Sequence, residues 1–75
     1  MSVPTVRLCM EPHDDSEYPW RVVFRDSQNR YTMDGRTWDM DAWCAEHVPY
    51  DHKPLHMGWG FRHESDATWC LLTWS

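Results

Sequence analysis

The stretch Thr37–His47, Thr-Trp-Asp-Met-Asp-Ala-Trp-Cys-Ala-Glu-His, is the part of this chain that reads most clearly as a helix. Met40, Trp43, Cys44 and His47 recur at i, i+3, i+4 and i+7, which stacks them on one face. Asp41, Ala42, Ala45 and Glu46 fall on the opposite face. Thr37 or Asp39 can serve as the N-cap, and acids in the first turn suit the positive end of the helix dipole. Pro49 blocks continuation beyond His47. One short helix must therefore be covered by the rest of the chain, and the rest reads as strands.

Trp20–Arg25 gives the clearest alternation, with Trp20, Val22 and Phe24 on one side and Arg21, Val23 and Arg25 on the other. Asp26-Ser-Gln-Asn29 is a turn, and Arg30–Met33 returns as the paired strand. Upstream, Val3–Met10 alternates as well: Val6, Leu8 and Met10 oppose Thr5, Arg7 and Cys9, and Pro4 suits a strand start. The segment from Glu11 to Pro19 reads as an acidic loop. After the helix, Val48–His56 contains Pro49 and Pro54 and is expected to be irregular. Met57–His63 reads as a strand in which Gly58 and Gly60 permit close backbone approach. Glu64–Ala67 reads as a hairpin loop, and Thr68–Trp74 as a last strand, apolar on both faces and therefore either central or covered at an interface. The expected fold is α+β: one antiparallel sheet, in chain order β-β-β-α-β-β, with a single helix packed on one face. On this reading Trp43 closes the core, and Trp43→Ala costs about 3–5 kcal/mol.

Seventy-five residues make one small domain, near the lower size limit for folding on one core. Six Trp, three Tyr and two Phe compensate, because each large ring buries more area than an aliphatic side chain. Three widely spaced Cys do not form the even, dense set of a disulfide-stapled miniprotein. The opening Met-Ser-Val-Pro-Thr lacks the apolar run of a signal peptide, and no segment approaches the ~20 apolar residues of a membrane span. These features lead to the expectation of a reduced, cytoplasmic protein.

Five His and three Cys raise the question of a metal. Cys44 and His47 share a helix face, Cys9 and His13 follow the first strand, and His52 and His56 flank Pro54. Tetrahedral zinc needs four such ligands to converge, and closely spaced Cys pairs are missing. The expectation is therefore no metal and no cofactor; if zinc were bound, the set would be Cys44, His47, Cys9 and His13. Cysteine catalysis lacks support, because Cys44 sits mid-helix with no third orienting group. Gly-rich phosphate loops and nucleophile elbows are absent from the sequence. The reading is non-enzymatic.

Charge carries the remaining signal. The net charge is −5 with His neutral, which disfavours a general nucleic-acid binder and favours a basic partner. Arg7, Arg21 and Arg25 share a strand face, so an Arg and aromatic platform for single-stranded nucleic acid is one alternative. A zinc-supported domain is another. The leading expectation is a protein-binding module that uses Asp39, Asp41, Glu46, Asp14, Asp15 and Glu17, with Trp38, Tyr18 and Tyr50 as anchors. A compact, acidic, motif-free α+β chain of this size resembles, as a class, the small inhibitors that bacteriophages use against host machinery, CRISPR systems included. That likeness implies an inhibitor occupying the basic, nucleic-acid-binding surface of a larger protein. Homodimerisation is a further expectation, and membrane association is not expected.

Overall fold

The computed structural model describes residues 6–74. The expected strand residues Val3, Pro4 and Thr5 lie outside that range. Seven elements follow one another: β1 (Arg7–Pro12), β2 (Trp20–Arg25), β3 (Tyr31–Thr32), α1 (Thr37–His47), β4 (His52–Leu55), β5 (Gly58–Phe61) and α2 (Glu64–Trp74). The strands form one antiparallel sheet in the order β1-β2-β5-β4, and β3 pairs with the far end of β2. The α+β class holds, with two helices instead of one.

Register explains the layering. Leu8 and Met10 stand opposite Phe24 and Val22. Val22 and Trp20 stand opposite Trp59 and Phe61. Directly paired residues share a face, so these side chains form one apolar surface. Met40 and Cys44 cover it from α1, Val48 from the residue just after that helix, and Ala67 and Cys70 from α2. The other face of the sheet carries Arg7, Cys9, Glu11, Arg21, Val23, Arg25 and Tyr31. Gly58 explains how close β5 comes to β2: a Cβ there would lie 2.3 Å from the Val22 carbonyl oxygen.

Four expectations need correction. The segment from Glu64 to Trp74 is a helix, not a loop and a strand. Ala67, Cys70 and Trp74 fall at i, i+3 and i+7 and turn toward the core, while Glu64 and Asp66 occupy the first turn, where the helix dipole favours acids. The segment from Val48 to His56 is not wholly irregular, because His52–Leu55 forms edge strand β4. Pro54 is tolerated there, since an edge strand needs ladder bonds on one side only. Strand β1 runs on to Pro12, because Glu11 and Pro12 pair with Arg21 and Trp20. Finally, neither Thr37 nor Asp39 caps α1. The cap position is Arg36, which makes no capping bond through its side chain. Instead Asp34 turns the chain into the helix: its carboxylate accepts the Arg36 N–H at 2.9 Å and its carbonyl accepts the Thr37 N–H at 3.1 Å.

Candidate functional site

The fold gathers some of the expected binding residues and separates others. Trp38 and Asp41 line a cleft of about 350 Å³ between the start of α1, the end of β3 and the β4–β5 hairpin. Phe24, Met33, Leu55, Met57 and Trp59 supply its apolar walls. Trp38 is 85% exposed and Met33 57%, so large apolar surface stands open at the mouth. Burial of the neighbouring Met40 turns the outward residues of α1 toward solvent. Trp59 is buried and its indole N–H donates to Asp41 Oδ1 at 3.4 Å, which orients that carboxylate at the cleft.

The acids differ in how far the protein itself has neutralised them. Asp34 is bound by Arg36 at 2.8 Å; with the Arg36 backbone N–H, this holds its carboxyl below the ordinary carboxylate range. Asp15 accepts the backbone N–H groups of Glu17 and Tyr18, at 2.9 and 3.2 Å, and lies 3.6 Å from Lys53. Its carboxyl is also lowered, mainly by the Glu17 N–H. Among the described residues no cation pairs with Asp39, Asp41 or Glu46 on α1, nor with Asp14 or Glu17. Asp39 and Asp41 belong to the cleft end of α1, and Glu46 and the 86%-exposed Tyr50 to its far end. Asp14, Asp15, Glu17 and Tyr18 sit apart, on the tight loop between β1 and β2 that the His13 N–H closes onto the Pro19 carbonyl.

The arginine face is present but engaged internally. Glu11 is the hub: Arg21 Nε donates to it at 2.7 Å, Arg25 at 2.8 Å and the Tyr31 hydroxyl at 2.6 Å. Arg21 also donates to the Tyr31 hydroxyl, and the Arg25 guanidinium stacks 4.3 Å from the Tyr31 ring centre. Burial alone would raise the Glu11 carboxyl, but the hydrogen bonds from Tyr31, Arg25 and Arg21 outweigh it and bring it down to about 2. Arg7 reaches the Asn29 side-chain oxygen. In the sequence Glu11 reads as the start of a loop and Tyr31 as part of a short return strand, so neither stands out as a partner of the arginines. Their cross-strand pairing with Arg21 and Arg25 is the signal that would have revealed them.

The four suggested zinc ligands do not come together. Cys44 is wholly buried in the core beside Cys70, and the hydrogen bond with that thiol, followed by burial, pushes its own thiol upward, away from the nucleophilic form. His47 is exposed, stacks on Trp43 with centroids 4.8 Å apart, and meets Trp69 edge-on. Cys9 is on the opposite face of the sheet, and His13 donates from Nδ1 to the Tyr18 carbonyl at 2.8 Å. All three cysteines are free. No helix among the described residues is long and apolar enough to cross a membrane.

Comparison with protein-family models, curated proteins and solved structures finds no match for this chain.

Proposed function

We propose that this protein is a cytoplasmic, non-enzymatic binding module that occupies a basic, nucleic-acid-binding surface of a larger protein and so inhibits it. The observation that carries this reading is the mouth of the cleft. An exposed Trp38 stands there over apolar walls beside Asp41, with Asp39 next to it along the helix, and among the described residues no Lys or Arg pairs with either carboxylate. A bulky aromatic anchor next to uncompensated charge is the arrangement that gives an interface both affinity and steering. The complementary partner is a surface segment that inserts one apolar side chain into the cleft and flanks it with Lys or Arg. Size and acidity are in keeping with a bacteriophage inhibitor of host defence, an anti-CRISPR protein among the options.

The test is capture from nuclease-treated host lysate with three baits: the parent chain, a Trp38→Ala/Asp39→Lys/Asp41→Lys variant, and an Asp14→Lys/Glu17→Lys control. The expected result is one set of proteins retained by parent and control, lost by the cleft variant, and released from the parent as salt rises. Equal capture by parent and cleft variant would overturn the reading.

A further inference from the structure

Away from the cleft, three metal-type donors from different parts of the chain converge where α1, β4, β5 and α2 meet. Asp51, His63 and Asp66 place one donor atom each within 4.8 Å of one another. It is the one such grouping among the described residues, and it shares no residue with the Cys and His set considered above. We propose that Asp51, His63 and Asp66 form a binding site for a divalent first-row transition ion such as zinc.

The backbone fixes the three positions. The Asp51 N–H donates to the Val48 carbonyl at 3.2 Å, and the Asp51 carbonyl accepts the Arg62 N–H at 2.9 Å. That second bond ties the start of β4 to the end of β5. The His63 carbonyl accepts the N–H groups of Asp66 and Ala67, at 3.1 and 3.2 Å, so His63 and Asp66 are held one helical turn apart. His63 Nε2 already faces Asp51 Oδ2 at 3.8 Å. Zinc bonds of about 2.0–2.2 Å bring neighbouring donors to roughly 3–3.5 Å, so rotamer-scale adjustment closes the set.

Donor type selects the ion. One imidazole nitrogen with two carboxylate oxygens suits zinc or a similar borderline ion better than calcium, which prefers oxygen alone. Three protein ligands leave a coordination position for water or a partner's side chain. Two neighbours work against the ion: the positive end of α2, and Arg62, whose Nε lies 3.3 Å from Asp51 Oδ1. Arg62 engages the oxygen turned away from His63, however, and its guanidinium is parked 5.2 Å from the Tyr18 ring centre. Through this ion pair it helps to orient Asp51, the part that outer partners of ligating carboxylates play.

Tag-free protein titrated with zinc in a calorimeter, and with cobalt(II) in a spectrophotometer, tests the site. The expected outcome is one ion per chain and a cobalt spectrum with no thiolate charge-transfer band. His63→Ala and Asp66→Asn each lower affinity at least about tenfold. His47→Ala and His13→Gln, outside the cluster, leave it unchanged. Asp66→Asn keeps the helix and its shape, so it serves if His63→Ala does not fold. The absence of binding, a thiolate band, or equal affinity in the Asp66→Asn variant would each overturn the assignment.

Discussion

At the scale of single residues, Glu11 and Gly58 show two ways in which one position governs the sheet. Glu11 gathers two guanidinium groups and a phenol on one face, and its carboxyl titrates at about 2 against an ordinary value of 4.5. Between those values the unfolded chain binds the proton and the folded one does not, so acid favours unfolding there. The stabilisation is complete above about pH 4.5 and is lost as pH falls toward about 2. Glu11→Gln should accordingly cost about 1–3 kcal/mol near neutrality. In melting curves recorded from pH 7 to pH 2, the gap between parent and variant should close in the acid range; a gap independent of pH would refute the role given to Glu11. Gly58 acts through space instead. A methyl group there meets the Val22 carbonyl oxygen at 2.3 Å and Val23 Cγ1 at 2.8 Å, and the carbonyl belongs to a central strand that cannot step aside. Gly58→Ala should cost about 1–3 kcal/mol or more. Gly35→Ala, with nothing within 4 Å, should stay within about 0.5 kcal/mol of the parent when both glycine variants are unfolded in urea.

At the scale of elements, α1 and β2 were legible in the sequence to the residue, and α2 was not. Strand β2 is apolar on one side and basic on the other, and α1 has a repeat of 3.6 between a turn and a proline. Each pattern is incompatible with the alternative period. In α2, Thr-Trp-Cys-Leu-Leu-Thr-Trp is apolar in every direction and rich in residues that favour strands, so period carries no information there. The decisive stripe of Ala67, Cys70 and Trp74 begins inside a segment whose polar residues suggest a loop. Strand β4 was hidden for a different reason: Pro54 excludes a central strand but not an edge. The cleft could not be read at all, since β3, α1 and the β4–β5 hairpin meet there only in three dimensions, although Trp38 stood out because no pattern absorbed it. Packing also reorders the cost of core mutations. Trp43 is only half-buried, against His47 and Trp69, whereas Met40 is wholly buried on the same helix. Met40→Ala should cost about 2–5 kcal/mol, and more than Trp43→Ala; chemical denaturation giving the opposite order would place the centre of the core nearer to Trp43.

At the scale of the whole molecule, cations are used up inside the protein and acids are left over. Arg21, Arg25, Arg30, Arg36, Lys53 and Arg62 each pair with one of the chain's own carboxylates, and Arg7 is the one of the seven Lys and Arg residues with no carboxylate partner among the described residues. The excess of acid is therefore presented outward, so copies of the protein repel one another electrostatically near neutral pH. That repulsion matters because Trp38, Tyr50 and Leu72 are more than 70% exposed. Protonation of the five His would cancel the net charge of −5, and the sequence isoelectric point is near 5.3. Mild acidification should thus remove the repulsion while leaving the exposed apolar groups in place, so self-association should peak close to that pH. Light scattering followed from pH 8 to pH 4 at low salt measures it directly. Trp38→Ser should lower the height of the peak without moving its position, because the substitution removes an anchor and no charge. Scattering that stays flat through pH 5.3, or a peak that Trp38→Ser shifts in pH, would show that net charge is not what holds the copies apart.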